Sequence, residues 1–433
     1  MIGSMISLDI QQGTAAERWR LDPCAVLYEM AERHPGAPAV LHLGYEDIVV
    51  FQDAEAARHI AHTNVDNYRK NLAGFRQFFG SSRLTNDDDA WRRSQRLSQP
   101  FIAGTESSFV TDAAVRFFSM ASQAMLSAAA TTDTVEVDPF LNDAAGAVIA
   151  EVTLGFGPSD LSSSLSNDFR VILQHAALTT WNVPGAPQIS SPARLAEAMA
   201  ANERLRRGLE LLRARGPGQS RPKLLDALLE AGEDIDVFAE VCTLLFAGFD
   251  TSSAALGWAM WLLAGEPDLQ QRLRNQLPAG ADGHEAGGLS ESGDLDAFLA
   301  EAMRIFPPVP ILSRIAKNDD TVAGVPIAAG QKVLLSVIGL HHDANVYPNP
   351  RRVSLGRFPG GEMPAALRGH FLPFGTGQRG CPGSKIARVE VKTAMAVLLR
   401  NIHIARPPEN RLSFEWLASL RRRGGQRFHL AAV

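Results

Sequence analysis

The chain has three cysteines, Cys24, Cys242 and Cys381, and one of them stands where chemistry could happen. Residues 371–383 read FLPFGTGQRGCPG, with Gly375, Gly377, Gly380 and Gly383 around Cys381 and a helical pattern after it. Glycines let a backbone approach a flat ligand and take up positive φ. Backbone N–H groups at a helix start, and the helix dipole, favour a negative sulfur. The competing explanation is a buried structural cysteine at a turn, which is what free cysteines usually are. Against it, the pattern Phe374-x-x-Gly377-x-x-x-Cys381-x-Gly383 fixes four positions. It should arise by chance on the order of once in a thousand chains of this composition. The cysteines are far apart and none has CxxC spacing, which argues against a disulfide framework, a zinc site or a redox pair.

Two further groups of residues could act chemically. Ala247-Gly248-Phe249-Asp250-Thr251 places an acid and an alcohol in the middle of an apolar helix, where a polar group needs a partner. Either Asp250 pairs with a distant basic residue and Thr251 bonds the backbone one turn back, or the two move protons, for which an acid plus a hydroxyl is apt. Glu301 and Arg304 are spaced to share one helix face. A surface salt bridge would look the same, so Glu-x-x-Arg carries no motif weight by itself.

The elements that must position these residues are mostly helices. Helical spacing marks 23–33, 53–63, 106–130, 143–154, 166–181, 192–215, 223–231, about 235–265, 294–306 and a last helix ending near 401. A hairpin is predicted over 37–51, turning at 44–47. Short strands are predicted at 312–316, 321–327, 331–338 and the C-terminus, loops at 64–89 and 280–293, and turns at 182–185 and 216–218. The expected fold class is therefore mainly α with a minor β portion (α+β), with small antiparallel sheets, in one domain over 1–433.

Composition narrows the function classes. The 433 residues are 45% hydrophobic and 21% charged, with net charge −5, an ordinary globular balance without the basic footprint of a nucleic-acid binder. The N-terminal segment shows no signal peptide or anchor. The most apolar stretch, 241–264, carries Asp250 in its middle and reads as a buried helix, not a membrane span. These features lead to the expectation of a cytoplasmic protein in a reducing compartment.

The cysteine loop resembles the haem-ligand loop of the cytochrome P450 family. The other segments follow in that family's order along nearly the whole chain: 89–96 (DAWRRSQR), the acid–alcohol helix, Glu301-x-x-Arg304, Arg357-Phe358 and the loop itself. The resemblance implies haem b (iron protoporphyrin IX), with Cys381 as the metal ligand whose thiolate pushes electron density toward iron. Phe374 and Gly383 would lie against the haem near the sulfur. Arg379 and Arg314 would pair with propionates. Trp91 and Arg96 would form a second clamp, with Gln95 where the family has its arginine. Ala247 and Gly248 would leave room for O₂, Thr251 would hydrogen-bond it, and Asp250 would relay protons from solvent. Glu301, Arg304 and Arg357 would be a structural triad behind the loop, with Leu355 and Gly356 replacing the residues usual before Arg357-Phe358.

The implied activity is a monooxygenase inserting one oxygen atom of O₂ into a hydrophobic small molecule, by hydroxylation or epoxidation, as in tailoring a natural product. A fatty-acid hydroxylase and an H₂O₂-dependent peroxygenase are alternatives. The intact Asp250-Thr251 pair argues against the peroxygenase and against a non-catalytic haem-thiolate sensor. The substrate pocket would include Leu72, Phe75, Phe78, Trp181 and Phe246, with Ala247, Val309, Ile311 and Leu312. The chain leaves no room for a fused reductase. Electrons would come from NAD(P)H through a ferredoxin or flavodoxin and its reductase, docking near Arg92, Arg93, Arg96, Arg351, Arg352, Lys385 and Arg388. The expected state is a monomer with no nucleic-acid or membrane partner, like the soluble bacterial members.

Overall fold

The computed structural model describes residues 15–43, 46–155, 165–180, 192–215, 224–232, 235–277, 293–408, 412–416 and 418–433. The fold is mainly α with minor antiparallel β structure. Its axis is the Val237–Leu263 helix, started by the Asp236 carboxylate, which accepts from the Ala239 N–H at 3.0 Å. This helix is long and apolar enough to cross a membrane, and 67% of its most apolar window is buried within the protein, the pattern of a core helix. Asp138–Ile149 packs along one side of it and Ser384–Asn401, the helix after Cys381, along another.

A five-stranded sheet flanks the helices in the order Ala39–His42, Asp47–Phe51, Lys332–Ser336, Ile311–Ala316, Tyr68–Lys70. The expected hairpin is its outer pair, with Leu41 opposite Ile48. Only the pairing of Asp47–Phe51 with Lys332–Ser336 is parallel. The predicted strand 331–338 breaks at Ser336, whose hydroxyl accepts from the Gly339 N–H at 2.8 Å and starts the Val337–His342 helix.

The expected loop 64–89 is structured. It holds the strand Tyr68–Lys70 and the helix Ala73–Phe79. Phe75, Phe78 and Phe79 have the i, i+3, i+4 spacing of one helical face, in a segment too short to register as periodic. Phe75 and Phe79 stack on Phe246 at 6.0 and 5.6 Å, and Gly80, at φ 75°, ends the helix. Cys24 and Cys242 lie in the core, where burial pushes both thiols up and leaves them inert. The predicted turns at 182–185 and 216–218 lie outside the described residues, as does nearly all of the predicted loop 280–293.

Candidate haem-thiolate site

A cavity of about 610 Å³ lies between the long helix, the cysteine loop and the Ile311–Ala316 strand. The loop is a tight backbone turn: the Cys381 N–H donates to the Phe374 carbonyl at 2.8 Å, and Gly380 N–H to Gly377 O at 3.0 Å. Gly377 has φ 73°, and a Cβ there would lie 2.1 Å from the Ala61 carbonyl oxygen, so only glycine fits. At Gly383, on the cavity wall, a Cβ would meet nothing within 4 Å. Cys381 is exposed to this space. Burial nevertheless pushes its thiol up, opposed by the Gly383 N–H and by the charge of Arg83. The helix start alone thus does not make the thiolate. A bound metal ion would favour the thiolate further, since the ligating form is the deprotonated one.

One end of the cavity carries excess positive charge. Lys70, Arg314 and Arg379 line it, and the carboxylate set among them is Asp87, 3.1 Å from Arg379. Burial, with the neighbouring guanidiniums and against Asp87, lowers the Lys70 ammonium to about 7. Burial and then Arg379 lower Arg314 to about 10. Trp91 is buried beneath two of these cations, its ring 5.9 Å from Lys70 Nζ and 6.0 Å from the Arg379 guanidinium. Three half-buried cations sharing one carboxylate are costly. A ligand bearing carboxylates at that end would relieve them. A thiol, bare glycine backbone, apolar walls and this cationic end together fit a haem with its two propionates.

Opposite the loop, Thr251 Oγ1 donates to the Ala247 carbonyl at 2.8 Å, and both residues line the cavity. Asp250 does not. Successive residues of a helix are turned by about 100°, so with Thr251 facing the cavity Asp250 faces the Asp138–Ile149 helix. There Arg421 Nη2 donates to Asp250 Oδ1 at 2.9 Å and to Ser253 Oγ at 2.8 Å, while Nη1 donates to Asp138 at 3.1 Å. Against burial, Asp250 and Asp138 hold the Arg421 guanidinium above its ordinary range. Asp250 is therefore one member of an ion pair with a distant basic residue, the first of the two alternatives its position in the sequence allowed. Gly248 lines the cavity, but a Cβ there would lie 2.4 Å from Ile149 Cγ1, so helix packing demands the glycine.

Behind the loop, Glu301 and Arg304 are fully buried. Arg304 Nε and Nη2 fork onto the two Glu301 oxygens at 2.6 and 3.1 Å. Glu301 Oε2 also accepts from Arg357 Nη1 at 2.6 Å and from the Ser354 N–H at 2.8 Å. Arg304 Nη1 reaches the carbonyls of His341 and Pro350 at 3.0 and 2.7 Å. His341 ties this network to the loop, its Nε2 accepting from the Leu372 N–H at 2.8 Å and its Nδ1 lying 3.2 Å from Arg304 O.

The sequence model of the cytochrome P450 family matches residues 21–420. The chain belongs to the cytochrome P450 family. Among curated relatives it is 36% identical over 200 residues to Cytochrome P450 4A24 of Sus scrofa, covering 43% of this chain and 38% of the relative. It is 36% identical over 197 residues to the Taurochenodeoxycholic 6 alpha-hydroxylase of Sus scrofa (43% and 38%), and 31% identical over 235 residues to Cytochrome P450 4V2 of Homo sapiens (49% and 42%). The matched stretch spans about two fifths of the length of these relatives.

Within this P450 fold the remaining expectations divide. Phe374, Arg379, Gly383, Arg314 and Trp91 lie on the cavity wall, as do Leu72, Phe75, Phe246, Val309, Ile311 and Leu312. Phe78 does not: it is core, edge-to-face with His175 at 5.2 Å. Trp181 lies outside the described residues. Arg96 is exposed and off the wall, while Trp91, Ser98 and Ile102 carry the face of this helix that lines the cavity. A cation on the cavity wall that bonds to that helix is Arg83, whose guanidinium donates to Ser98 Oγ at 3.0 Å and Gln99 Oε1 at 2.6 Å. Of the expected docking cations, Arg388 is exposed at the cavity wall, its guanidinium 4.6 Å over the Phe374 ring, and Arg351 pairs with Glu32 at 2.5 Å. The sequence reading also missed Lys70 and Asp87, hidden in the supposed loop, and Glu390. The one signal for Glu390 was an acid in line with Ile386 and Ala394 on a helical apolar face.

Proposed function

We propose that this chain is a haem-thiolate monooxygenase that inserts one oxygen atom of O₂ into a hydrophobic small molecule. The observation that carries this reading is that Cys381 and Thr251 face one apolar cavity whose far end has more cations than carboxylates. Bound there, haem iron would supply O₂ activation, with two electrons and two protons consumed per turnover. Cys381 is the residue to ligate it, and Arg314, Arg379 and Lys70 are those to hold its propionates. Thr251, resting on the Ala247 carbonyl, can turn its hydroxyl into the cavity and present or pass a proton there. Leu72, Phe75, Phe246, Val309 and Ile311 exclude water and grip an apolar substrate.

The substrate is a natural product or a lipid, the latter class suggested by the bile acid in one relative's name. Electrons come from NAD(P)H through a separate carrier, a ferredoxin or flavodoxin, and its reductase. The test is the absorption spectrum of the reduced, CO-treated protein. We expect a thiolate-type Soret shift that Cys381→Ala abolishes; absence of the shift, or its survival in the variant, overturns the reading. A binding-spectrum screen of terpenoids, polyketides, fatty acids and bile acids then separates the substrate classes.

A further inference from the structure

We propose that Arg421 limits the size of substrate the cavity admits, by latching the turn of the C-terminal hairpin to the long helix, with Asp250 as one of its two anchoring acids. The hairpin pairs Phe414–Trp416 with Leu420–Arg422. Trp416, at the end of its first strand, and Ala418, in its turn, are partly buried and line the same cavity as Cys381 and Thr251. How far this turn stands into the cavity therefore sets the room left for a substrate.

A ribbon of two three-residue strands does not hold itself in place. Its base is anchored in the core. Phe414 stacks on Tyr28 at 5.0 Å, the Leu420 N–H donates to the Pro308 carbonyl at 2.8 Å, and Trp258 Nε1 donates to the Leu420 carbonyl at 2.7 Å. The turn is held by Arg421. Its Nε donates to Ser419 Oγ, inside the turn, at 3.2 Å. The other two nitrogens leave the hairpin. Nη2 donates to the Asp250 carbonyl at 2.8 Å, to Asp250 Oδ1 at 2.9 Å and to Ser253 Oγ at 2.8 Å, all on the long helix. On the Asp138–Ile149 helix, Nη1 reaches Asp138 Oδ1 and Nη2 reaches Asn142 Oδ1, both at 3.1 Å. A guanidinium is planar and rigid, so one side chain fixes the turn against two helices at once.

The charges say how the latch should fail. Two carboxylates meet one guanidinium, and Asp250 Oδ2 is buried with no partner among the described residues. Neutralising Asp250 therefore weakens the latch but leaves Arg421 with Asp138. Removing the guanidinium releases the turn outright and leaves two acids behind, while the base anchors at Phe414 and Leu420 remain. Neither Arg421 nor Asp250 lines the cavity. Both are positioning residues that act through Trp416 and Ala418.

This inference rests on the haem-thiolate reading, and its test separates the two. Imidazole and clotrimazole, a small and a bulky iron-ligating azole, are titrated into the haem-loaded protein and followed by the Soret shift. In Arg421→Gln the turn yields to the bulky ligand. The ratio of clotrimazole Kd to imidazole Kd should fall on the order of tenfold, the size of one hydrogen bond to a charged group, while imidazole alone stays within about twofold of wild type. Arg421→Lys, which keeps the charge but loses the fork, should fall less, and Asp250→Asn less again. Ala418→Leu should weaken clotrimazole in the wild-type background and lose most of that effect beside Arg421→Gln, because both changes act on one turn. Amide exchange of the whole haem-free protein needs no ligand: residues 418–422 should exchange faster in Asp250→Asn than in wild type, while Ile402–Ala405 should not. That comparison holds even where Arg421→Gln fails to fold. The proposal is overturned if the ratio stays within about twofold of wild type in Arg421→Gln, if both azoles weaken equally, or if hairpin exchange is unchanged in Asp250→Asn. A thiolate-type CO spectrum in every variant, together with any of those results, sinks this proposal alone. A wild-type protein without that spectrum sinks both.

Discussion

Two clusters of cations lie on either side of the cysteine loop, and their charges are settled to different degrees: one carboxylate for two cations behind it, one for three in front. Behind the loop, Glu301 takes both arms of Arg304, one of Arg357 and the Ser354 N–H, and backbone carbonyls take the other arginine donors. In front of it, Lys70, Arg314 and Arg379 share Asp87. A buried network whose members are all satisfied is complete in the folded protein. A buried cluster with surplus charge is waiting for a ligand. That difference lies in the charge balance and not in the hydrogen bonds, since Lys70 donates to the Arg83 and Asn86 carbonyls, Arg314 to the Ser313 carbonyl and Arg379 to the Tyr68 carbonyl.

Removing an anchor from each cluster should break the symmetry between them. Glu301→Ala strands Arg304 and half-buried Arg357 without their carboxylate, which for a buried pair costs about 3–5 kcal/mol. Urea unfolding should show this loss in haem-free protein, and holoprotein should fail to accumulate. Arg304→Met, which keeps length but drops the charge, should be as damaging. A Glu301→Ala protein of wild-type stability would mean the triad is not structural.

The cavity cluster should respond with the opposite sign. Lys70→Met removes a cation that burial already disfavours, so haem-free protein should be unchanged or steadier at pH 7, while haem dissociation into apomyoglobin quickens. The pH profile carries the same message. The Lys70 ammonium titrates at about 7 when folded and near 10.5 when unfolded. Between those values the unfolded chain binds more protons, so haem-free stability should rise with pH. Glu390 acts in reverse: raised from 4.5 to about 8, it adds stability below pH 4.5 that is lost as pH climbs to 8. From pH 8 to about 9, before the raised thiols of Cys24 and Cys242 begin to oppose it, the Lys70 effect stands free of Glu390, and Lys70→Met should flatten that limb. A flat wild-type limb, or unchanged haem loss in Lys70→Met, would remove the cavity cluster from the comparison.

How these clusters read in the sequence follows from where their constraints come from. The cysteine loop was legible because every restriction on it is local: Gly377 must clear the Ala61 carbonyl, and Cys381 must bond the Phe374 carbonyl seven residues back. Glu301 and Arg304 were legible because a helix puts them on one face. Asp250 and Thr251 were legible as a pair, and their contacts, a distant basic residue and the backbone one turn back, were among the alternatives the sequence left open. Helix geometry says only one of them can face the cavity, and Arg421, 171 residues away, decides which. Lys70 escaped because a three-residue strand leaves no periodic trace, and Asp87 because it stands just outside a helix, before Asp88. Arg96 misled because one residue of slippage on a helix is a quarter-turn, enough to carry a side chain from cavity to solvent.

His341 joins the two regions and gives the smallest of the expected effects. Burial, and then the charge of Arg304, lowers the ring to about 3, so it is neutral, with Nε2 accepting from Leu372 and Nδ1–H free to donate to the Arg304 carbonyl. The imidazole thus fixes the start of the cysteine loop to the triad through two bonds of ordinary strength. His341→Leu leaves a buried N–H and a buried carbonyl unpaired and should cost about 1–3 kcal/mol. His341→Gln, which can reach one of them, should cost less. The folded pKa lies below the unfolded 6.5, so this contribution is whole above pH 6.5 and fades as pH falls toward 3. Acid unfolding of His341→Gln should accordingly be shallower over that window than wild type, with buried His342, lowered by the same burial, supplying the slope that remains. If loss of His341 left both stability and the Soret position untouched, the triad would support the loop by packing alone, through Phe358 on Phe371 at 4.5 Å, and the hydrogen-bonded link would carry nothing.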